Sequence, residues 1–343
     1  VIPRVSLSPG YDISRIIKGG WHLAGDHGAV DRDQALRDMA AFVEAGVTTF
    51  DCADIYTGVE QLIGDFRRAY PDHARAIQIH TKFVPDLPDL PRLDRRYVEA
   101  IIDRSLMRLG VERIDLVQFH WWDYDVARYL ETALELDRLR HAGKIARLGV
   151  TNFDVPRLKA MTDAGVRFSA NQLQYSLLDR RPLNGMVDYC QRHDIALLCY
   201  GAVAGGFLSE RWLGSPEPTG TLTNRSLVKY KLIIDDFGGW AAFQRLLQIL
   251  AQIAAKHGVD LAAVAIRAVL DRPAVVAAIV GATSTAHLAA HEQIGGLTLD
   301  PEDMAALDRA IADAAGPVGD VYTLERDRHG PHGRIMKYEL NKS

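Results

Sequence analysis

Residues Thr48 to Gly58 read "TTFDCADIYTG": a β-branched run ends in a carboxylate, Asp51, and a tyrosine, Tyr56, follows five residues later. The first half has the make-up of a short buried strand and the second that of a loop, so both polar groups stand where a strand leaves the core. Seven other short apolar runs share this form: "RIIKGG", "AIQIHTK", "IDLVQFH", "IARLGVTN", "FSANQLQY", "IALLCYG" and "VVAAIVGA". Between them lie helix-period segments such as "DRDQALRDMAAFVEAG" and "YVEAIIDRSLMRLG", most closing on a glycine that suits a left-handed helix cap. Strand and helix alternating in short units predict right-handed crossovers and a parallel sheet. Eight such units predict a closed (β/α)8 TIM barrel rather than an open sheet.

Three features depart from the repeat. A hairpin is expected around Pro9-Gly10, ahead of the first unit. Residues 201–238 read as a long loop after strand seven, and a connection of that length in a compact protein is expected to be a lid. After the eighth unit, "DPEDMAALDRAIADAA" reads as an extra C-terminal helix, and the polar tail "DRHGPHGRIMKYELNKS" is placed to border the site. No linker rich in Pro, Gly or Ser divides the chain, so residues 1–343 are expected to form a single domain.

Composition narrows the function. The chain is 48% hydrophobic and 24% charged, enough apolar material for a large core. Its 40 basic and 44 acidic residues give a net charge of -4 without long runs of one sign, so nucleic acid and membrane partners are not expected. Cys52, Cys190 and Cys199 sit in apolar surroundings without framework spacing, as reduced thiols do in a cytoplasmic protein. The opening "VIPRVSLSPG" has no apolar signal core. Neither His22 with His27 nor His329 with His332 has a further ligand at metal-binding spacing, so no metal is expected.

Barrel chemistry sits at the C-terminal ends of the strands. There the chain places Asp51 with Tyr56, Lys82, His120, Thr151-Asn152 and Gln172. A phenol is a weak acid at neutral pH, but a nearby ammonium favours the phenolate and lowers its pKa. Lys82 can supply that ammonium, Asp51 can be its counter-charge, and His120 can donate a hydrogen bond to a substrate oxygen. Each residue alone has a plainer use: Asp51 as a helix cap, Tyr56 as a loop aromatic, His120 as a core or metal-binding histidine, Thr151-Asn152 as a cap and Gln172 as a bridge between strands. Lys82 would also serve as a Schiff-base lysine in a lyase. The conjunction favours one scheme, protonation of a carbonyl oxygen.

At these residues the chain resembles the aldo-keto reductase superfamily of NAD(P)(H)-dependent oxidoreductases. "FDCADIYTGVEQLIG" is similar to the family's Asp-plus-Tyr segment, and "HTKF" and "DLVQFHWWD" to its Lys and His strands. The resemblance implies that Tyr56 is the acid-base residue, that Lys82 and Asp51 tune it, and that His120 positions the carbonyl. It further implies NADP(H) or NAD(H) as cofactor. Thr151 and Asn152 of "GVTNF" and Gln172 of "NQLQYS" would hold the nicotinamide carboxamide, and Tyr200 would stack under its ring. Gly201, Ala202, Val203 and Gly205 would approach the pyrophosphate, and Gly281, Thr283, Ser284, His287 and His291 the adenosine end. Trp21, Phe83, Trp121 and Trp122 adjoin strand ends and are expected to ring the mouth for a small aldehyde, ketone, alcohol or sugar. Potassium-channel β subunits resemble the same superfamily, so a slow-turnover nicotinamide-binding regulatory subunit is the alternative beside the lyase.

One departure from the family bears on the nucleotide. Many members meet the adenosine 2′-phosphate with a Lys or Arg after the eighth strand, and Gly281 to His291 contains neither. Modest NADP(H) selectivity, or real activity with NAD(H), is therefore expected unless Arg180 or a residue of 201–238 compensates.

Overall fold

The computed structural model describes residues 2–24, 30–222, 224–281 and 284–341. Strands β1 (Arg4–Ser8) and β2 (Tyr11–Ser14) form the antiparallel hairpin, with Gly10 supplying the positive φ of 70° that the tight turn requires. Eight parallel strands follow: β3 (Ile16–Gly19), β4 (Thr49–Asp51), β5 (Gln78–Phe83), β6 (Leu116–Phe119), β7 (Leu148–Thr151), β8 (Ala170–Gln174), β9 (Ala196–Tyr200) and β10 (Val275–Gly281). They run in chain order and close, β10 pairing with β3. Each strand coincides with one of the eight runs read from the sequence, β5 alone extending one residue past its run, to Phe83.

The side-chain period of two separates two apolar layers. One face of each strand meets the surrounding helices in a core that reaches from Ile2 to Tyr322. The other face lines the barrel, whose base is filled by Leu7, Tyr11 and Ile13 of the hairpin against Ile17, Leu116, Leu198 and Ile279. The hairpin is therefore a plug, and the opposite end is left open. Aspartate caps start several helices where the chain leaves that open end: Asp94 accepts from Tyr97 N at 2.8 Å and Asp154 from Arg157 N at 3.0 Å. Among the described residues no single helix is long and apolar enough to cross a membrane.

The segment 201–238 is not the irregular loop expected from its length. Two single 3₁₀ turns lead into a 13-residue helix, Arg225–Phe237, whose cap Asn224 accepts from Leu227 N at 2.9 Å. Leu227, Tyr230, Ile233, Ile234 and Phe237 form its buried face at helical spacing. Gly201 (φ 78°) and Gly205 (φ 63°) make the notch for Tyr230, because a Cβ at either position would run into the Tyr230 ring. The expected lid is thus a helix latched by one tyrosine. The extra C-terminal helix is present at Pro301–Ala312, opened by a capping box between Asp300 and Asp303. Beyond it the tail crosses the open end and is tied down by Asp86, which accepts from Leu340 N at 2.9 Å and Asn341 N at 3.0 Å.

Close packing concentrates at Gly64, where the helix Val59–Ala69 crosses the helix Arg95–Leu109 and an added Cβ would overlap the Arg108 carbonyl oxygen. Gly64→Ala should cost about 1–3 kcal/mol through overpacking and lower the melting temperature by several degrees. Gly220→Ala, where a Cβ meets open space, should leave it unchanged. Equal melting of both variants in a thermal scan would show that the helices do not cross so closely.

Candidate active site

The strand ends converge at the open end of the barrel. His80 and Lys82 alternate inward on β5, as do Gln118 and His120 at the end of β6, and they meet Asp51 from β4 and Gln172 from β8. Lys82 Nζ lies 2.5 Å from Asp51 Oδ2 and donates to the Cys52 carbonyl oxygen at 2.8 Å. Asp51 Oδ1 accepts from Gln118 Nε2 at 3.0 Å and from Gln172 Nε2 at 2.6 Å. The Lys82 ammonium sits 4.9 Å from the centroid of the Tyr56 ring, and the edge of Trp21 meets that ring at 5.1 Å.

Electrostatics follow from burial and partners. Burial works against the charge on Lys82, but Asp51 and Tyr56 outweigh it and hold the ammonium above its ordinary pKa. Burial raises the Tyr56 phenol, and Lys82 opposes that rise only in part. The net shift is upward, so in the protein alone desolvation overrides the lowering expected from the sequence. The ion pair with Asp51 therefore works against the neutral amine that a Schiff base requires.

His120 Nδ1 lies 3.1 Å from the Thr151 carbonyl oxygen, which can only accept, so Nδ1 carries the proton. Burial first, and then the charge of Arg326, bring its pKa down to about 3. Neutral His120 therefore offers Nε2 as an acceptor rather than as the second donor expected from the sequence. The edge of Trp122 packs on its ring at 4.3 Å and Tyr322 at 5.5 Å.

A cavity of about 700 Å³ opens from this cluster. Beside Tyr56, Lys82 and His120 it is lined by Thr151, Asn152, Gln172 and Tyr200, then by Gly201, Val203, Gly205, Gly281 and His291. Asn152 takes a left-handed backbone (φ 63°) that asparagine tolerates, and Arg326 from the tail holds it by donating to its carbonyl oxygen at 2.7 Å. Tyr200 Oη donates to Asn152 Oδ1 at 2.8 Å, which leaves the Asn152 Nδ2 group as a donor. Gln172 spends its amide nitrogen on Asp51 and on Gln118 Oε1, which leaves Oε1 as an acceptor. A donor and an acceptor side by side match a primary carboxamide, and the glycine-lined loop beyond suits a pyrophosphate, so the residues present fit a nicotinamide dinucleotide.

Several expected positions fall elsewhere. Phe83 is fully buried against Phe119, because Lys82 takes the inward direction and the next residue must point outward. Trp121 follows His120 by the same rule; it is fully buried, and its Nε1 donates to the carbonyl oxygens of Asp123 and Val126. Neither lines the cavity, whereas Trp21 and Trp122 do. Ala202 is buried and absent from the lining, and Ser284 Oγ accepts from Ala286 N at the start of a 3₁₀ turn instead of facing the cavity. Thr283 and the side chain of His287 lie outside the described residues. Residues that the sequence did not single out also contribute: Gln118 beneath the carboxylate, Arg326 under Asn152, and Tyr322, Arg225 and Lys229 in the wall. For Gln118 a signal existed, since it stands two residues before His120 on the same inward face.

Residues 15–312 match the model of the Aldo/keto reductase family. The chain belongs to that family. Its members use NAD(P)H. The chain is 27% identical over 318 residues to an aldo-keto reductase of Bacillus subtilis, a match covering 90% of this chain and 94% of that protein. It is 28% identical over 299 residues to flagellar radial spoke protein 5 of Chlamydomonas reinhardtii; that match covers 69% of this chain but only 56% of the longer protein. The glycerol dehydrogenase structure from Gluconobacter oxydans superposes with a TM-score of 0.77 at 25% identity, covering 93% of this chain and 97% of that one.

His80, fully buried below Lys82 and 3.1 Å from Tyr11 Oη, is likewise lowered to about 3, chiefly by burial. Both imidazoles should stay neutral in the folded aldo-keto reductase while the unfolded chain takes up protons below about pH 6.5. Their contribution to stability is present above pH 6.5 and is lost as the pH falls toward 3. Ring-proton NMR should show neither histidine titrating between pH 8 and pH 5; a midpoint near 6.5 for either would contradict its placement.

Proposed function

We propose that this aldo-keto reductase is an NAD(P)(H)-dependent oxidoreductase that interconverts small aldehydes, ketones or sugars with their alcohols, with Tyr56 as general acid and base. The observation that carries this assignment is the ammonium of Lys82 placed 4.9 Å from the Tyr56 ring centroid while paired to Asp51 at 2.5 Å. When bound, the nicotinamide supplies or accepts the hydride. In reduction Tyr56 delivers its hydroxyl proton to the carbonyl oxygen, and the phenolate left behind is stabilised by Lys82 until solvent returns a proton. In oxidation the phenolate removes the alcohol proton. Where the substrate carries a hydroxyl beside the reacting carbon, as a sugar does, His120 Nε2 accepts a hydrogen bond from it, while Trp21 and Trp122 wall the mouth. We read the chain as one domain, because a single connected core runs from Ile2 to Tyr322. A second assignment, a nucleotide-binding subunit with slow turnover, is favoured only by the similarity to a radial spoke protein.

A panel of aldehydes, ketones and sugars with each nucleotide, followed at the nicotinamide absorbance, tests the activity. Binding of nucleotide without turnover on any of them would favour the subunit. Tyr56→Phe should leave nucleotide affinity near wild type and lower kcat for reduction by ~100-fold or more, the worth of general acid catalysis. Lys82→Met should lower it more than substitution of a remote lysine does. A Tyr56→Phe enzyme keeping over a tenth of wild-type kcat would remove Tyr56 from the role.

For the nucleotide we propose modest NADP(H) selectivity with real NAD(H) use. Arg180 cannot compensate from the cavity, since it donates to the Ala314 carbonyl oxygen at 2.7 Å and is absent from the lining. Of 201–238, Arg211, Arg225 and Lys229 line the cavity; Arg225 lies over the Trp21 ring and Lys229 over the Tyr200 ring, whereas Glu210 and Asp260 line it with Arg211, and Glu210 accepts from Leu261 N at the start of the helix Leu261–Leu270. That helix packs on Leu288–Gly296, which carries His291, so these carboxylates stand at the adenosine end and disfavour a further dianion. The kcat/KM ratio of NADPH to NADH at pH 8 should lie below ~100, and Asp260→Asn should raise it several-fold. A wild-type ratio above ~1,000 would reveal a strong phosphate site elsewhere.

A further inference from the structure

We infer that Gln118 is a positioning residue for the cofactor: from beneath the cavity it fixes the plane of the Gln172 amide, so that Gln172 Oε1 faces the nicotinamide carboxamide as an acceptor. The inference rests on the nicotinamide assignment proposed above. Gln118 is fully buried and does not line the cavity, so it acts only through its neighbours. Its orientation is set by charge. Asp51 Oδ1 can only accept, so the group 3.0 Å from it must be the Gln118 amide nitrogen, which turns Gln118 Oε1 toward Gln172. Gln172 Nε2 then donates one hydrogen to Gln118 Oε1 at 2.9 Å and the other to Asp51 Oδ1 at 2.6 Å.

With one acceptor a primary amide pivots about a single hydrogen bond; with two, its plane is fixed. Both acceptors lie on the nitrogen side of Gln172, and Gln172 itself lines the cavity, so its oxygen is the group presented there. Room for this arrangement comes from β7: a Cβ on Gly149 would stand 3.3 Å from Gln118 Cγ and 3.0 Å from the Ala170 carbonyl oxygen. The same two donors hold Asp51 with its other oxygen against Lys82, so one buried amide ties the cofactor contact to the Lys82–Asp51 pair.

The test compares nicotinamide adenine dinucleotide with its 3-acetylpyridine analogue, in which a methyl replaces the amide nitrogen and no N–H remains for Gln172 Oε1 to accept. Isothermal titration of the wild type should favour the amide by ~10-fold in Kd, the worth of one well-placed hydrogen bond. Gln118→Met, of similar length and without either hydrogen bond, should reduce that preference to ~3-fold or less. Gln172→Met should do the same, and the double variant should lose nothing further, as expected for two residues acting through one contact. Gln118→Asn, too short to bridge Asp51 and Gln172, replaces the Met variant if that one does not fold and should show the same loss. A folded Gln118 variant that keeps the full wild-type preference overturns the role of Gln118 alone. A wild type that binds both nucleotides equally overturns the orientation of Gln172, and one that binds neither overturns the cofactor assignment and this inference with it.

Discussion

The pair between Lys82 and Asp51 is the constraint on which the rest of the site depends. Two opposite charges buried at the open end of a barrel are costly to desolvate, and removing one partner of such a pair typically destabilises by roughly 3–5 kcal/mol. The structure meets that cost with hydrogen bonds: the carboxylate accepts from Lys82, Gln118 and Gln172, and the ammonium also donates to the Cys52 carbonyl oxygen. Because the donors come from β5, β6 and β8, the pair fixes strands on different sides of the barrel relative to one another. A fixed cation beside Tyr56 is the chemical result, and the amide of Gln172 carries the network from the ion pair to the wall of the cavity.

Much of this was legible in the sequence, for a reason that can be traced to single positions. A barrel strand alternates strictly, so the last inward residue of each run must face the open end; Asp51, Lys82, His120, Thr151 and Gln172 could be named from that rule together with the family resemblance. The same rule, applied more strictly, would have excluded Phe83 and Trp121, which each follow an inward residue by one and are fully buried among the helices. Gln118 is not a strand end, yet as position i−2 from His120 it shares the same inward face.

What the sequence concealed is tertiary. Arg225–Phe237 carries Asn224 as a cap and apolar residues at helical spacing, yet the Gly, Ser, Pro and Thr residues ahead of it made the whole of 201–238 read as a loop. Arg326 and Tyr322 lie in a polar tail without periodicity, and nothing local announces that they reach under Asn152 or against His120. Burial also reversed the direction expected for Tyr56, since a strand-end position does not disclose how completely the surrounding loops remove water from the phenol.

The contact of Arg326 with the Asn152 carbonyl oxygen joins residues 174 positions apart. Asn152 is held there in a left-handed conformation at the floor of the cavity. The conformation of Asn152, set at the end of the fifth barrel strand, thus depends on a guanidinium that lies beyond the last strand and two further helices. The closed sheet alone therefore does not determine the cavity: a segment outside the eight strand–helix units shapes part of its wall.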